Sequence, residues 1–345
     1  MRIRLIPIVV SGVALFAAQA SAQDAASIRE TVRRLLPTTY QGRNRGPEQT
    51  EHFSRKIKIG RDGRVTVANI AGDVVVTGGS GDEVSIEATK RTRGDKSEFE
   101  RVQINVEEHA GRVDVRTENV PPNDHDRVWV DFTVTVPASA SVELHSVSGN
   151  LRVSGVQGVA RLETVSGNVT ASSTPRIEVA KSVSGDVDVS GTSSDGDLAA
   201  SSVSGNVHIK GVKARSIRLG AISGDVGVSD AACDRVDMKS LSGSVEYAGT
   251  LAKGGRYDLT SHSGTVRMIL SGALGFELDA STFSGSINSE LPLTIGGDPG
   301  ANAANGRRRG ISNRSMHATF GDGSAVLTLR TFSGSIVISK GDGKR

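Results

Sequence analysis

Serine is the potential nucleophile that this sequence repeats most regularly, because a ten-residue box with Ser-Gly at its seventh and eighth positions returns nine times between residues 142 and 338. A catalytic serine needs one oriented base, and it commonly stands in a G-x-S-x-G elbow or in an S-x-x-K pair. None of the nine serines has either neighbourhood. Nine equivalent copies favour a structural role for the serine, so the sequence predicts no catalytic residue.

Carboxylates between residues 186 and 197 resemble the opening of a calcium-binding loop. Asp186, Asp188, Asp195 and Asp197 lie at suitable spacings, although the twelfth position holds Asp197 instead of glutamate. The two valines that follow Asp186 and Asp188 occupy the inward positions of a strand, which turns both carboxylates outward. We interpret the group as solvated turn residues, and we predict no metal site.

Histidines and a glycine-rich stretch offer little further chemistry. The seven histidines show neither H-x-x-H nor H-E-x-x-H spacing, and His145 and His208 fall on outward strand positions. Residues 78–81 read Gly-Gly-Ser-Gly, but neither Lys-Ser/Thr nor a helix follows them, so a hairpin turn explains them better than a phosphate loop. The sequence therefore predicts surface histidines and no cofactor.

Three consecutive arginines form the one candidate contact site. Arg307, Arg308 and Arg309 lie in a Gly-rich insertion without apolar periodicity, where they could contact anionic envelope polymers or lipid headgroups. The alternative is a solvated, flexible loop in which the arginines contact nothing.

A repeat of about 19 residues must position all of these side chains. Each copy reads apolar-x-apolar-x-small-apolar-Ser-Gly-polar-apolar, which is typical of two short strands per repeat. The alternation changes phase at Ser-Gly, so the chain must bend there, and His262 in place of the apolar residue before Ser-Gly indicates a partly buried corner. The box glycines are Gly149, Gly167, Gly185, Gly205, Gly224, Gly243, Gly264, Gly285 and Gly334.

Successive repeats should stack on one another, and this stacking gives the fold. No repeat contains the ten or more helical residues that a βαβ crossover requires, so we predict an all-β, single-stranded parallel β-solenoid (β-helix-like) of about nine to ten coils. A strand-rich cap should precede it. Identical positions should form ladders between coils, namely the box serines and an Asn/Asp column made of Asn150, Asn168, Asp186, Asn206 and Asp225.

Four segments divide the chain. Residues 1–22 read as a secretory signal peptide, 23–52 as a short helix and linker, 53–137 as the strand-rich cap with the first coils, and 138–345 as the Ser-Gly solenoid with an inserted loop at 292–314. Removal of the signal leaves 39 basic and 38 acidic residues, a balance that disfavours nucleic acid as partner. We also predict no transmembrane segment in the mature chain.

The order of these features resembles a known bacterial family. A strand-rich region ends on Val134-Thr135-Val136-Pro137, serial Val-Ser-Gly-[Asn/Asp]-Val boxes follow, and the chain finishes on Leu329-Arg330-Thr331-Phe332-Ser333-Gly334-Ser335-Ile336. This order is similar to the putative-adhesin β-strand-repeat family, a domain of unknown function. The resemblance covers roughly residues 56–339 and implies an adhesin-like role.

Export, a regular solenoid and the lack of a catalytic set favour a non-enzymatic binding or scaffold protein of the bacterial cell envelope, in the periplasm or on the cell surface. Its partner would be an envelope protein or a polysaccharide. One alternative is a carbohydrate-active β-helix enzyme that uses paired carboxylates. Another is a protein that senses or regulates the state of the envelope. The single cysteine, Cys233, is expected to be a packed residue and not a reactive thiol.

Overall fold

The computed structural model describes residues 47–119, 128–193, 196–272, 275–295 and 314–341. They belong to a compact unit that spans Pro47–Arg345. The predicted signal peptide and the predicted short helix lie outside the described residues.

The described residues form one 24-stranded sheet and a single short helix, α1 (Glu98–Arg101), so the prediction of an all-β, solenoid-like fold is confirmed. Alternating buried and exposed side chains run along the strands, as the period of two requires. The strands are β1 (Gln49–Lys58), β2 (Arg64–Ala71), β3 (Val74–Gly79), β4 (Glu83–Thr92), β5 (Val102–His109), β6 (Arg112–Asn119), β7 (Val128–Pro137), β8 (Ser141–Ser148), β9 (Leu151–Ser154), β10 (Ala160–Ser166), β11 (Val169–Ser172), β12 (Ile177–Ser184), β13 (Val187–Ser193), β14 (Asp197–Ser204), β15 (Val207–Ser223), β16 (Val226–Ser242), β17 (Val245–Ser263), β18 (Val266–Ser271), β19 (Phe276–Ser284), β20 (Ile287–Ser289), β21 (Thr294–Ile295), β22 (Arg314–Phe320), β23 (Ala325–Ser333) and β24 (Ile336–Lys340).

Equivalent strands of neighbouring coils pair in parallel, so that the Ser-Gly box of one coil lies beside the box of the next. β10 lies between β8 and β12, and Ser166 is aligned with Ser148 on one side and with Ser184 on the other. The strands after the box repeat this arrangement, with β11 between β9 and β13. The valines and leucines at the inward positions of every coil therefore join one continuous hydrophobic core.

The box glycines are required because successive coils approach closely at this corner. A Cβ on Gly224 would lie 2.1 Å from the carbonyl oxygen of Gly205, and a Cβ on Gly167 would lie 2.1 Å from that of Gly149. Such distances are far inside van der Waals contact, so no side chain fits at the box position. The same column begins one coil earlier than the sequence boxes, at Gly72, whose Cβ would meet the carbonyl oxygen of Val130 at 2.3 Å.

Hydroxyls three residues before the glycine satisfy the crowded glycine carbonyls. Ser182 Oγ donates to the carbonyl oxygen of Gly167 at 2.8 Å, and Ser240 Oγ donates to that of Gly224 at 2.9 Å. Asn69 takes this role in the first coil. The predicted hydroxyl ladder of box serines is therefore wrong in its column: the box serines are exposed, and none of the described ones hydrogen-bonds through its hydroxyl.

The predicted amide ladder is present. Each Asn or Asp after the glycine accepts a hydrogen bond from the backbone N–H of the equivalent residue in the next coil, so every corner N–H along the ladder has a side-chain partner. The acceptor oxygens, with their N···O distances, belong to Asp73 (2.9 Å), Asn150 (2.9 Å), Asn168 (2.9 Å), Asp186 (2.7 Å), Asn206 (2.9 Å) and Asp225 (2.7 Å).

A second corner lies six residues after the box glycine, where no repeated residue type predicts it. Its residues have left-handed backbone conformations, with φ of 65° at Gly191, 63° at Gly211, 50° at Ser173 and 54° at Asp230. Glycine adopts this conformation without strain, and serine and aspartate tolerate it as single residues. Because three residue types share the column, no repeated letter marks it in the sequence.

The coils do not stack in sequence order at either end, which corrects the prediction that successive coils stack in sequence order. The coil of β23 and β24 lies between the coil of β17 and β18 and that of β19 and β20. At the other end, the coil of β6 and β7 lies outside that of β2 and β3. The strand containing Lys340 is therefore internal, because β24 pairs with β18 on one side and with β20 on the other.

Antiparallel strands cover both ends of the stack. β4 pairs with β7, β1 pairs with β4, and β5 pairs with β6. At the opposite end β22 pairs with β19, and the two-residue β21 pairs with β22. β21 lies within the predicted insertion at 292–314, so part of that insertion is strand. β22 follows it and covers this end of the stack, so β22 does not belong to the repeat.

Substitution at the box glycine tests the close approach of the coils. Gly224→Val should lower the free energy of unfolding by more than ~1 kcal/mol, because its Cβ would overlap the carbonyl of Gly205. Urea denaturation of the purified protein measures the change. Gly220→Ala in the same coil is the matched control, since its Cβ would meet nothing within 4 Å. Equal stability of wild type and Gly224→Val would show that the coils do not meet at this glycine.

Removal of one column hydroxyl tests the carbonyl contact. Ser240→Ala should destabilise the protein by about 1–3 kcal/mol, because the buried carbonyl of Gly224 loses its donor. Ser242→Ala, two residues later on the exposed column, should change stability by less than about 0.5 kcal/mol. Thermal and urea unfolding of the two variants should therefore diverge, and equal effects would contradict the assignment.

Candidate binding face

An exposed apolar row runs along the outside of the corner. The two residues before each box glycine both point outward, and the first of them is apolar in every coil except one. Its apolar side chains are 38–54% exposed. We name this row the corner stripe; in spatial order it consists of Val147, Val165, Val183, Val203, Ile222, Leu241, His262, Phe332 and Phe283.

The last three members of the corner stripe form an aromatic stack. The rings of His262 and Phe332 are 4.9 Å apart with an interplanar angle of 9°, and those of Phe332 and Phe283 are 4.6 Å apart at 3°. Near-parallel rings on neighbouring coils hold one another in place. This end of the corner stripe is therefore a flat and rigid apolar surface.

Two polar rows of different charge flank the corner stripe. The row two residues before it carries three cations, Lys181, Lys239 and Arg330, together with His145 and Glu163. We name it the basic row. The row on the other side, directly after the glycine, contains Asn, Ser, Thr and the acids Asp73, Asp186 and Asp225, and it is named the acidic row. The acidic row contains no cation within the part of the chain that the structure describes.

A shallow groove lies along the N-terminal half of the corner stripe. It has a volume of about 630 Å³, and the stripe valines face it across from His145, Glu163 and Lys181. Ser146 also lines this groove, and its buried hydroxyl has no hydrogen-bond partner because Asn69 already donates to the carbonyl oxygen of Gly72. The groove therefore combines an apolar wall and a charged wall, with one unsatisfied hydroxyl buried beneath its surface.

The carboxylates of the possible calcium loop are used in other ways. Asp186 accepts the backbone hydrogen bond of Asn206 at 2.7 Å, and Asp197 pairs with Arg215 at 3.0 Å. Asp188 is exposed, and Asp195 lies outside the described residues. The predicted contact residues Arg307, Arg308 and Arg309 also lie outside the described residues.

One group of metal-ligating types occurs elsewhere among the described residues. Glu107, His109 and Asp114 bring their ligand atoms within 4.8 Å of one another on the β5–β6 hairpin. Arg112 already pairs with Asp114 at 2.9 Å. Burial opposes ionisation of Asp114, but hydrogen bonds from Arg112 and Thr66 outweigh burial and hold its pKa below the ordinary value. A cation at this place would compete with the guanidinium.

Cys233 is buried in the core, as expected for a packed residue, and is 2% exposed. It lies near a pair of buried tyrosines, because Tyr257 Oη donates to the Cys233 carbonyl at 2.7 Å and the rings of Tyr247 and Tyr257 meet edge to face at 5.3 Å. Burial raises the pKa of the Cys233 thiol to about 11. The thiol is therefore protonated at neutral pH.

The corner stripe was visible in the sequence as a column but not as a surface. The column before Ser-Gly holds valine, isoleucine, leucine or phenylalanine in eight of the nine boxes. A partly buried corner was the expectation, and the side chains are in fact about half exposed. His262 is the signal that points to exposure, because an imidazole would be costly in the core.

One known protein family matches part of this chain. A family model described as Toastrack DUF4097 matches residues 176–339, in agreement with a β-solenoid-like fold. A comparison with curated proteins returns no match. None of the described helices is long and apolar enough to span a membrane.

Solved structures with similarity to this chain include a "putative adhesin" from Bacteroides fragilis, with 11% identity, a TM-score of 0.41 and coverage of 84% of this chain and 97% of that chain. A "putative lipid binding protein" from Parabacteroides distasonis has 11% identity and a TM-score of 0.41, covering 85% and 97% of the two chains. A "putative adhesin" from Parabacteroides merdae has 14% identity and a TM-score of 0.24, covering 64% and 89%.

The buried thiol gives a pH prediction. Below pH 9 the thiol is protonated in both states, so the raised pKa costs the fold nothing. Between pH 9 and about pH 11 the unfolded thiol ionises first, so stability should fall across this window. Cys233→Ala should remove that part of the alkaline loss, measured by urea unfolding at several pH values. Equal slopes for wild type and variant between pH 9 and 11 would contradict the burial argument.

Proposed function

We propose that the protein is an exported, non-enzymatic binding or scaffold protein of the bacterial cell envelope, and that the corner stripe is its binding face. The observation that carries the proposal is the continuous exposure of the stripe. Isolated exposed apolar residues are ordinary on a protein surface, but a contiguous apolar surface marks an interaction site. An envelope protein or polysaccharide would be the partner.

Rigidity of the corner supports a binding role. Backbone pairing, the hydroxyl column and the amide ladder fix the residues on either side of the corner stripe. A preorganised surface loses little conformational entropy when a partner binds. The stripe therefore needs no rearrangement before it makes contact.

The rival function, carbohydrate cleavage, would need two carboxylates placed on either side of a glycosidic bond. Asp237 and Asp258 are neighbours on adjacent coils. Asp237 is paired with Lys239 at 2.9 Å, and other outer carboxylates are likewise paired, such as Glu246 with Arg267 at 3.0 Å. These ion pairs favour a structural role for the carboxylates.

Attachment to envelope material tests the proposal. Val165→Asp combined with Val183→Asp should reduce binding of the purified protein to isolated envelope fragments at least tenfold. Both side chains are exposed, so the two substitutions leave the core intact while they make the stripe charged. Val326→Asp is the matched control, since Val326 is 42% exposed but lies off the corner stripe. Equal binding of the double variant and the control would remove the stripe as the binding face.

Two further arms separate the alternatives. Turnover of any polysaccharide in a panel, abolished by Asp237→Asn or Asp258→Asn, would overturn the non-enzymatic proposal.

The contact proposed for Arg307, Arg308 and Arg309 predicts that changing all three to serine weakens attachment at low salt and not at high salt. Unchanged attachment at low salt would exclude these arginines.

A further inference from the structure

We infer that the corner stripe packs against a second copy of this chain, with the two stripes parallel and the two-fold axis running along them. This inference rests on the proposed function, because it names the partner of the same face. Three observations carry it: the closed ends of the stack, the size of the stripe and the charges that flank it.

The covered ends direct association to the side of the solenoid. Antiparallel strands cover the outermost coils, with β4 on β7, β5 on β6 and β22 on β19. An uncovered end coil would otherwise pair with the end of another molecule. The corner stripe has no comparable cover among the described residues, so copies can meet on it.

The area of the stripe fits a dimer. Eight intervals of about 4.8 Å along the stack, and a width of about five residues from the basic row to the acidic row, give a strip on the order of 600 Å². A stable interface buries about 800 Å² on each partner. A second copy presents the same spacing between its rows, so side chains on the two stripes stay in register along the whole length.

The flanking charges select the parallel arrangement. Rotation about an axis along the stripe places the basic row of one copy opposite the acidic row of the other. Lys181 then faces Asp186 of the same coil, and Lys239 comes within one coil of Asp225. Rotation about an axis across the middle of the stripe would set Asp225 against Asp225 of the other copy and would bring Lys181 within one coil of Lys239, which is unfavourable for like charges, although it would also pair Glu163 with Arg330.

A lipid surface fits these observations less well. The corner stripe and the cations of the basic row would suit an anionic membrane, but Asp73, Asp186 and Asp225 lie on the other side of the same stripe. These carboxylates would face the headgroups and repel them. The pairing of one basic and one acidic row favours a partner that carries both.

Sedimentation velocity of the purified mature chain, at several concentrations, should show a monomer–dimer equilibrium. Ile222→Asp in the middle of the stripe should raise the dimer dissociation constant by about thirtyfold or more. Asp186→Asn and Lys181→Gln should each raise it roughly twofold to fivefold, and Asp186→Asn keeps the amide ladder because asparagine supplies the same acceptor on other coils. Asp188→Asn, an exposed acid off the stripe, is the matched control and should leave the constant unchanged.

Cysteine crosslinking tests directly whether the two copies are parallel. With a short bifunctional maleimide, Val147→Cys alone and Phe332→Cys alone should each give crosslinked dimers, because a parallel two-fold pair brings each stripe residue next to its own copy. Val326→Cys and the wild type should give none, since the native Cys233 is buried. Crosslinks that form only in a mixture of Val147→Cys and Phe332→Cys would overturn the parallel arrangement.

The remaining outcomes separate this inference from the proposed function. A monomer at all concentrations would overturn self-association; if the Val165→Asp, Val183→Asp variant then still loses envelope attachment, the stripe remains a binding face for another partner. Binding of the monomer to phosphatidylglycerol vesicles, lost in Ile222→Asp, would identify a lipid surface in place of the second copy. A dimer that dissociates in Ile222→Asp and crosslinks at both ends supports the inference.

Discussion

The close approach of one glycine to the carbonyl of the previous glycine fixes the corner of every coil. At a box position any side chain would lie about 2 Å from that oxygen, so only glycine allows the coils to stack at strand spacing. The crowded carbonyl then needs a donor, and the small hydroxyl three residues before the glycine of the neighbouring coil supplies it from inside. The N–H on the other side of the corner is satisfied by the Asn/Asp oxygen of the neighbouring coil. The box is therefore a hydrogen-bonding unit, and its geometry recurs from coil to coil because each glycine lies so close to the neighbouring carbonyl.

The same corner creates the exposed stripe. Alternation along the strand turns the residue three before the glycine inward, and the bend leaves the next two residues, such as Ile222 and Ser223, both facing solvent. Serine is an ordinary residue at such a position, but a branched or aromatic residue repeated on every coil is not explained by packing, since about half of its surface remains exposed. Core packing therefore does not explain why this column is apolar, and this supports the proposed binding role.

Much of the fold could be predicted because the repeat carries its own period. The strands before and after the box, the bend and the amide ladder all follow from residue types at fixed spacing. The second corner could not be found, because Gly191, Ser173 and Asp230 share a backbone conformation but not a residue type. The order of the last coils was also hidden: residues 282–287 and 331–336 have the same sequence, Thr-Phe-Ser-Gly-Ser-Ile, so the boxes carry no information about which coil lies outermost. Of the site, the stripe column could be read from the sequence, but its exposure and its flanking rows depend on how the coils stack.

The exchanged order of the last coils also shortens the strand that lies at the outer edge of the sheet. Had the coils stacked in sequence, the five-residue β24 would form the outermost strand after the box. In the observed order β24 pairs on both sides, and the outermost strand is β20, which has three residues. A short edge strand offers few unpaired backbone groups to another chain. The outer edge of β19 is covered by β22 in turn. Backbone pairing between molecules is thus restricted at this end of the stack, while the side-chain surface of the corner stripe stays open, as the proposed lateral association requires.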